Sequence, residues 1–506
     1  MRAEITRMEV AALLSVAQDH AFGQPPGSQL RAAVLGQRLA TELGLDVTDR
    51  ATCWWASTLR FLGCTGHAFE SAIVFGDEIE LRAESLRADF ADPTAVLRVM
   101  IRRAGPGDEG LARVRSVLAV IAGGRKAAEL NFRMACEVGD LFAARLGVDD
   151  QVRAALGATF ERWNGRGLPR GSKGVAIPIA MRIAHLCQEF EVLARMEDVG
   201  PALEIVARRS GGAYDPDLVR VVVEHGAGWW ADVEPLDPWD AALELAPRGE
   251  PLDDAAVHEA LVLLADFGDL KSPWIAGHSR AVAALAGVAA GPLAEEAALV
   301  HDLGRVGVPN TIWDKPGPLT RDERDRAETH ALLTDQLLRR VPALAPLCDG
   351  AGGAHERLDG SGYHRRATGT QLDQVARVVA AADCYQAMVS DRPHRAALQP
   401  ADAATELRAM SADGRLEGEA VERVLAAAGH RRSARPPLPA GLTSREVDVL
   451  RLLALGLTNR QVAEELVISA KTVDHHVQHI YAKIGVSTRG AAALFAIEHG
   501  VMTTDR

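Results

Sequence analysis

The chain has few of the residues that mark disulfide-rich or membrane proteins. Six of its 506 residues are cysteines, and they form no CxxC pair and follow no regular spacing. A disulfide framework or a structural zinc site is therefore not expected. No apolar run approaches the roughly 20 residues of a transmembrane helix, and the opening MRAEITRMEV lacks the apolar core of a signal peptide. These absences predict a cytoplasmic protein without membrane association.

The chain has fewer basic than acidic residues, and its formal net charge is −12. Global attraction to nucleic acid is thus excluded, and any DNA binding must come from a local surface. Alternating Val and Ile are scarce, whereas Pro and Gly separate Ala-, Leu-, Arg- and Glu-rich segments with helical spacing. The pattern predicts an all-α protein, and its length suggests three or four domains.

Histidines and aspartates that suit a metal ion recur between residues 278 and 395. They lie in LVHDLGRVGVPN (299–310), THALL (329–333), AHERLDGSGYH (354–364) and AADCYQAMVSDRPHR (381–395). Imidazoles and carboxylates suit transition metals, and an aspartate beside a histidine can bridge two ions. A single histidine is more often a core or surface residue, but an ordered set favours a site. The predicted ligands are His278, His301, Asp302, His330, His355 and Asp383.

The order of these segments resembles that of the HD-GYP subfamily of metal-dependent phosphohydrolases. The resemblance implies an all-helical phosphodiesterase domain that acts on cyclic di-GMP with iron or manganese. It further implies that Asp302 bridges the ions and that Asp302 and Arg305 are the catalytic residues. Arg305 and Arg392 would meet the substrate phosphate, although a solvated or ion-paired role for each arginine is an alternative.

The sequence departs from the family at instructive positions. Ala354 precedes His355 where the family has two consecutive histidines, so one expected ligand is missing. Arg305 replaces a lysine, His364 replaces the proline of GYP, and Trp274 stands where some members have a metal-binding glutamate. These changes predict a mononuclear or binuclear divalent transition-metal site of doubtful occupancy, and not a trinuclear one.

Residues 1–234 look like a degenerate copy of the later domain. ALLSVAQDHAFGQPPGSQLRAAVL (12–35) parallels ALVLLADFGDLKSPWIAGHSRAVAAL (260–285), and FERWNGRGLP (160–169) parallels HERLDGSGYH (355–364). The copy has no ligand set, because the corresponding residues are Ser28, Arg60, Phe61, Phe160 and Gln188. We interpret it as a structural or sensory pseudo-domain, with an unrelated helical sensor as the alternative. Residues 66–125 have no counterpart and are either a ligand pocket or an insertion.

Two linkers separate the predicted domains. The Pro-rich, acidic stretch around 235–254 is expected to be a hinge, and 255–429 is the HD-GYP-like domain. A basic, Pro-rich linker at 430–441 leads to the last domain, 442–506. Tandem HD-like helical domains followed by a small DNA-binding domain are thus the predicted architecture.

Residues 442–502 resemble the LuxR-type helix-turn-helix. Four helices are predicted, the third of which would enter the major groove, and Thr488–His499 would form a homodimer on double-stranded DNA. Asp474 is unexpected in a helix that meets DNA, and a protein-interaction domain is the alternative. The predicted DNA-binding residues are Asn459, Arg460, Gln461, Lys471, Thr472, His475, His476 and His479.

Two functions follow from this architecture. The first is a DNA-binding transcriptional regulator whose HD-GYP-like domain binds metal and a cyclic dinucleotide or other nucleotide, with weak or no hydrolysis. The second is an active phosphodiesterase that hydrolyses cyclic di-GMP and carries an accessory DNA-binding domain.

Overall fold

The computed structural model describes residues 4–89, 92–105, 107, 109–429 and 438–502. Over these residues the chain is helical, and extended pairing is limited to isolated bridges. The all-α prediction is confirmed. The chain divides into two compact units, Glu4–Leu252 and the part that begins at Asp253. None of the helices in the described ranges is long and apolar enough to cross a membrane.

Twelve α-helices occupy the described part of the first unit. They are α1 (Arg7–Ala21), α2 (Ser28–Glu42), α3 (Val47–Leu59), α4 (Ala68–Phe75), α5 (Glu78–Ser85), α6 (Pro93–Arg103), α7 (Gly110–Arg145), α8 (Asp150–Leu156), α9 (Ile179–Glu197), α10 (Val199–Arg208), α11 (Pro216–Val233) and α12 (Pro238–Glu244). Helices α2, α3 and α9 pack against one another and form the core of this unit. A 3₁₀ helix, Leu62–His67, follows α3 and lies on the long helix α7.

The second unit begins with nine α-helices. They are α13 (Asp254–Asp269), α14 (His278–Ala290), α15 (Pro292–Val300), α16 (Asn310–Trp313), α17 (Arg321–Leu338), α18 (Ala345–Gly352), α19 (Gln374–Met388), α20 (Pro400–Ala412) and α21 (Gly418–Ala427). Helices α14, α15 and α19 pack together, and a 3₁₀ helix, Leu303–Gly307, lies on α17. Apart from α4–α6 and α16, the order of elements from α1 to α9 is thereby repeated from α13 to α19.

Matching hydrogen bonds support the repeat at the start of each unit. Asp19 accepts a hydrogen bond from the backbone of Gln29, and Asp269 accepts one from the backbone of Ser279, ten residues on in both cases. Glu161 and Glu356 each accept backbone hydrogen bonds from residues nine and eleven positions later. The same buried carboxylates therefore hold the same turns in both units.

A close helix contact gives the register between the two copies. Any side chain at Gly304 would overlap the carbonyl oxygen of His330, and one at Gly63 would overlap that of Ala135. Glycine is required at both positions because the 3₁₀ helix presses directly on the long helix behind it. With the predicted parallels, the six pairs are Ser28 and His278, Arg60 and His301, Phe61 and Asp302, Ala135 and His330, Phe160 and His355, and Gln188 and Asp383. The structural or sensory role of residues 1–234 stays a prediction.

The stretch expected to be a hinge contains a packed helix instead. Asp237 caps α12 and Pro238 occupies its first turn. Trp239 is 7% exposed, and the indole nitrogen of Trp54 donates a 2.8 Å hydrogen bond to the Ala242 carbonyl oxygen. The expectation of a hinge was wrong for Pro238–Glu244, because Pro and Asp at a helix start were read as linker composition, whereas they are start signals. The boundary between the two units does fall within the stretch, after Leu252.

The predicted DNA-binding domain forms four further helices, as expected. They are α22 (Ser444–Ala454), α23 (Asn459–Glu465), α24 (Ala470–Ile484) and α25 (Arg489–Glu498). Thr443 and Thr458 form capping boxes with Glu446 and Gln461. The domain has its own core, which includes Val449, Leu450, Leu453, Val462, Val473 and Ile480. Most of the predicted linker, residues 430–437, lies outside the described residues.

The last helix also contacts the HD-like domain. Helix α25 packs on both α22 and α13. The guanidinium of Arg280, on α14, lies 3.4 Å from the Glu498 carbonyl oxygen, and a side chain at Gly277 would come within 3.2 Å of Met502. The helix predicted to mediate dimerisation is therefore covered in part by the same chain.

Candidate metal centre and DNA-binding surface

The six predicted ligands come from five separate elements and meet in one buried cluster. His278 is the first residue of α14, and His301 and Asp302 lie between α15 and the following 3₁₀ helix. His330 is in α17 and Asp383 in α19, whereas His355 follows α18. All six side chains are buried. The structure thus brings together every residue that was predicted to bind metal.

Four of these residues form one ligand group. His278, His301, Asp302 and Asp383 offer donor atoms that all lie within 4.8 Å of one another. His278 Nε2 lies 3.0 Å from Asp383 Oδ1, and His301 Nε2 lies 3.1 Å from Asp302 Oδ2. Two imidazole nitrogens and two carboxylates are a ligand set that suits a transition metal.

A second group shares Asp302 with the first. The other carboxylate oxygen of Asp302, Oδ1, lies 2.9 Å from His355 Nε2 and 3.1 Å from His330 Nε2. The two oxygens of one carboxylate therefore face two different sets of ligands. This is the arrangement expected of an aspartate that bridges a pair of ions.

Backbone carbonyl groups hold two of the imidazoles in the orientation that ligation requires. His301 donates its Nδ1 proton to the Ala298 carbonyl oxygen at 2.7 Å, and His330 donates in the same way to Ala327 at 2.6 Å. A proton on Nδ1 leaves the Nε2 lone pair free to bind metal. Nε2 of His301 is buried and makes no hydrogen bond, which fits an atom that awaits an ion.

Burial and nearby charges set the protonation of the imidazoles. Burial disfavours the charged form, so it lowers the pKa of His278 to about 3 and that of His330 to about 4. His301 is also buried, but the carboxylates of Asp302 and Asp383 outweigh this effect and raise its pKa to about 10. In the absence of another cation, the centre therefore draws a proton onto the imidazole between the two aspartates.

The carboxylates are strongly held in their ionised form. Burial alone would raise the pKa of Asp302, but the Arg305 guanidinium and the neighbouring imidazoles overcome it, and the pKa lies well below its usual value. Burial would also raise the pKa of Asp383, but the hydrogen bond from His278 and the charge of the surrounding imidazoles bring it well below its usual value. Buried carboxylates that remain ionised favour bound positive charge. The donor set therefore fits a metal cation.

Ala354 sits at the position where a further ligand is missing. It is fully buried, directly before His355. The second ligand group has three residues, whereas the first has four. Three protein ligands leave an open coordination position, at the cost of weaker binding.

Two arginines border the ligand cluster. Nη2 of Arg305 lies 2.7 Å from Asp302 Oδ2, and the guanidinium stacks over the Trp313 ring at 5.1 Å. Nη2 of Arg392 lies 3.4 Å from His278 Nδ1. Burial, together with the charge of Arg305, lowers the pKa of Arg392 to about 10. Two guanidinium groups at the border of the cluster favour an anionic ligand beside it.

Three aromatic residues that the sequence motifs did not identify as functional also contact the centre. The Tyr363 ring stacks on His355 with centroids 5.0 Å apart, and the Trp313 ring meets His330 edge-on at 5.2 Å. Trp274, identified only as a replaced ligand, accepts a hydrogen bond from Arg392 through its carbonyl oxygen. Tyr363 belongs to the DGSGY segment, so its position in the motif was the available signal.

The predicted DNA-binding residues divide into two sets. Lys471, Thr472, His475 and His479 are exposed on α24, and His476 is half-buried. In contrast, the Asn459 amide donates a 2.5 Å hydrogen bond to Asp474, and Gln461 accepts the capping hydrogen bonds of Thr458. Arg460 pairs with Glu464 at 3.0 Å and is exposed. The candidate surface for DNA is therefore the exposed face of α24.

Comparisons with known proteins agree with both sites. Residues 264–419 match the HD domain family, and residues 440–496 match the family described as bacterial regulatory proteins, luxR family. The transcriptional regulatory protein LiaR of Bacillus subtilis is 40% identical over 98 residues, which cover 19% of this chain and 46% of that protein.

The similarity to phosphodiesterases extends over most of the chain. The 3'3'-cGAMP-specific phosphodiesterase 3 of Vibrio cholerae is 30% identical over 403 residues, 77% of this chain and 88% of that protein. A crystal structure of a cyclic GMP-AMP specific phosphodiesterase of V. cholerae matches with a TM-score of 0.59 and 26% identity, covering 84% of this chain and 98% of that one. The chain therefore belongs to the HD-GYP phosphodiesterase family and carries a LuxR-type DNA-binding domain.

Proposed function

We propose that the chain is a DNA-binding transcriptional regulator whose HD-GYP-type centre binds a transition metal and a cyclic dinucleotide, with weak or no hydrolysis. The observation that carries the proposal is the six-ligand cluster with Arg305 and Arg392 beside it. The cluster lies in the same unit as the LuxR-type domain. The metal we propose is iron or manganese, in a mononuclear or binuclear centre.

The residues around the cluster have separable roles in binding a phosphodiester. Asp302 would bridge the two ligand groups, and Arg305 and Arg392 would pair with the phosphate oxygens. A bound ion would polarise the phosphoryl oxygen and lower the pKa of a coordinated water toward neutrality. Tyr363 packs on His355 and limits the rotation of that ring. Binding and orientation of the nucleotide are therefore within the reach of these side chains.

Two features of the centre support slow turnover. The second ligand group has three residues because Ala354 replaces an imidazole, so its ion would be held weakly. In addition, Arg305 already pairs with Asp302 Oδ2, one of the donor atoms of the first group. A guanidinium bound at this oxygen competes with a metal ion for the same negative charge.

The alternative is an active phosphodiesterase with an accessory DNA-binding domain. The complete four-residue group favours it, as do the relatives named as phosphodiesterases. Relatives named for cyclic di-GMP match shorter parts of the chain, between 20% and 31% for three of them, than the relative named for 3'3'-cGAMP, which matches 77%. Both dinucleotides are therefore tested as substrates.

Metal analysis and a phosphodiesterase assay on one sample distinguish the two functions. We expect the purified full chain to carry fewer than two metals and to hydrolyse cyclic di-GMP and 3'3'-cGAMP slowly or not at all, while it binds one of them. Inductively coupled plasma mass spectrometry and chromatography of the products measure these quantities. Two metals per chain, together with turnover that Asp302→Ala abolishes, would establish the alternative.

Restoring the missing imidazole should raise the metal content. We expect Ala354→His to increase the bound metal per chain, because the second ligand group gains a fourth donor. Ala354 is fully buried, so any larger residue will strain the core by about 1–3 kcal/mol. Ala354→Phe is the matched control, since it adds similar bulk without a donor. Equal metal contents in the two variants would show that position 354 does not face the second ion.

Docking of α25 on the HD-like domain offers a route from the metal centre to DNA. Gly277 lies beside Met502 and immediately precedes the ligand His278. Because LuxR-type domains bind paired half-sites as dimers, a helix held by its own chain would be withheld from a partner. We propose that this contact restrains dimerisation of the unliganded chain and is released when α14 responds to its ligands.

A charge placed in this contact should release the restraint. We expect Met502→Asp to raise both the dimer fraction of the full chain and its affinity for duplex DNA. Sedimentation and gel shifts at low salt measure the two effects. Val288→Asp, at a 76% exposed position near the far end of α14, is the control. If the monomer–dimer equilibrium of Met502→Asp were the same as that of the wild type, the contact would not restrain dimerisation.

A further inference from the structure

The first unit contains a large cavity at the position that corresponds to the metal centre. Its volume is about 1030 Å³. The wall includes Arg60, Phe61, Phe160 and Gln188, which correspond to His301, Asp302, His355 and Asp383 of the second unit. The cavity therefore lies where the second unit holds its candidate ligands, and its volume is typical of small-molecule sites.

Helices α4 and α6 and the first part of α7 lie in the segment 66–125, which has no counterpart in the second unit, and they supply apolar walls to this cavity. Residues of α4, α6 and α7 line it, including Ile73, Val74, Leu97, Met100, Val120 and Ile121. Ile73 is 64% exposed and Ile121 is 52% exposed. Large aliphatic side chains left in contact with water gain free energy when an apolar ligand covers them. The walls therefore suit a hydrocarbon body.

Buried cations lie around the 3₁₀ helix Leu62–His67 on one side of the cavity. Arg60 is 8% exposed, donates to the Ala184 carbonyl oxygen at 3.3 Å and stacks over Phe61, while its Nε makes no hydrogen bond. Arg82 donates to the carbonyl oxygens of Cys64 and Ala21. Within the described ranges, neither guanidinium has a carboxylate in ion-pair contact.

Two further titratable groups, His67 and Glu189, line the cavity near Arg60. His67 is buried, its Nδ1 contacts Ser71 Oγ, and its Nε2 has no hydrogen-bond partner. Glu189 also lines the cavity, but its carboxylate is bound by Arg209 and the Tyr214 hydroxyl. Burial, reinforced by Arg162, lowers the pKa of Arg60 to about 9. A buried cation without a counterion is costly, and an anionic ligand would relieve that cost.

We propose that this cavity binds an amphipathic organic acid, with its carboxylate at Arg60 and His67 and its hydrocarbon body between α4, α6 and α7. A cyclic dinucleotide suits the walls less well, because its base edges and second phosphate would lack partners among the aliphatic side chains. The site is separate from the metal centre and does not depend on the function proposed for that centre. Through this site the first unit, which lacks the metal-ligand set, would respond to a small molecule of its own.

Sodium decanoate and its uncharged analogue decanol are suitable probes for the full chain. We expect decanoate to bind once per chain in isothermal titration calorimetry and to raise the unfolding temperature. Arg60→Met keeps much of the side-chain volume and removes the charge, so decanoate should bind about tenfold more weakly or worse. Arg60→Lys should restore part of the affinity. Arg38→Met, which removes a partly exposed arginine paired with Asp232, is the matched control.

A second variant keeps the test decisive if Arg60→Met does not fold. Ile121→Asp changes an exposed position in the wall, so the chain should fold and lose decanoate binding through repulsion and lost apolar contact. Equal binding of decanoate to the wild type and both variants would overturn the proposal. Equal affinity for decanol would do the same, and so would Arg60-dependent binding of cyclic di-GMP or 3'3'-cGAMP in place of decanoate.

Discussion

Asp302→Ala is expected to empty both halves of the metal centre at once. Its two carboxylate oxygens face different ligand groups, so one substitution leaves three donors in the first group and two in the second. Loss of an outer partner already costs about 10- to 100-fold in metal affinity, and loss of a bridging ligand should cost more than the upper limit. Any hydrolysis of cyclic dinucleotides should be lost together with the metal.

The same substitution should also destabilise the metal-free chain. Arg305 would lose its buried ion-pair partner, which typically costs about 3–5 kcal/mol. Metal content by mass spectrometry and the free energy of unfolding by urea titration measure the two effects. Asp302→Asn retains the shape if the alanine variant does not fold, and Asp349→Ala, at an exposed carboxylate, is the control. Wild-type metal content in both Asp302 variants would contradict the proposed centre.

Charge reversal at Lys471 should have the largest effect on DNA binding. Lys471 is exposed near the start of α24, on the face that carries Thr472 and His475. The variant Lys471→Glu exchanges an attraction to phosphate for a repulsion. We expect a loss of about 1–3 kcal/mol in binding free energy and a smaller dependence of affinity on salt.

Gel shifts with duplex DNA at several salt concentrations measure this effect. The control is Lys126→Glu, the same charge reversal at an exposed position of α7. Because Asn459 and Gln461 are occupied within the domain, Gln461→Ala should mainly cost cap stability, about 0.5–2 kcal/mol. If Lys471→Glu bound DNA as the wild type does, the exposed face of α24 would not be the DNA-binding surface.

The clustering of the six candidate ligands could be predicted because each occupies a short motif with a recognisable order. The resemblance implied that Asp302 bridges two ions, but sequence order did not reveal which residues belong to which group, since that division depends on distances between atoms from five elements. Asp474 illustrates the same limit within the DNA-binding domain. Its acidic side chain was puzzling in a recognition helix, but it accepts a hydrogen bond from Asn459, fifteen residues earlier.

Local signals were also ambiguous where one composition fits two structures. Pro238 and Asp237 could end a domain or start a helix, and only the burial of Trp239 against the rest of the unit decides between them. Likewise, residues 66–125 could be an insertion or the wall of a pocket. The structure gives them a cavity to line, which no periodicity in the sequence could indicate.

The glycine contact repeated at Gly63 and Gly304 has a thermodynamic consequence. The first unit presses its 3₁₀ helix onto the long helix behind it, although its described residues include no group of three or more side chains that could hold a metal ion. This packing therefore does not depend on a ligand cluster. In small domains that fold around a metal, the free energy of coordination is consumed in ordering the chain. Here the same packing forms without that contribution. The free energy of coordination is consequently available to shift other equilibria, such as the one that holds α25 against α13.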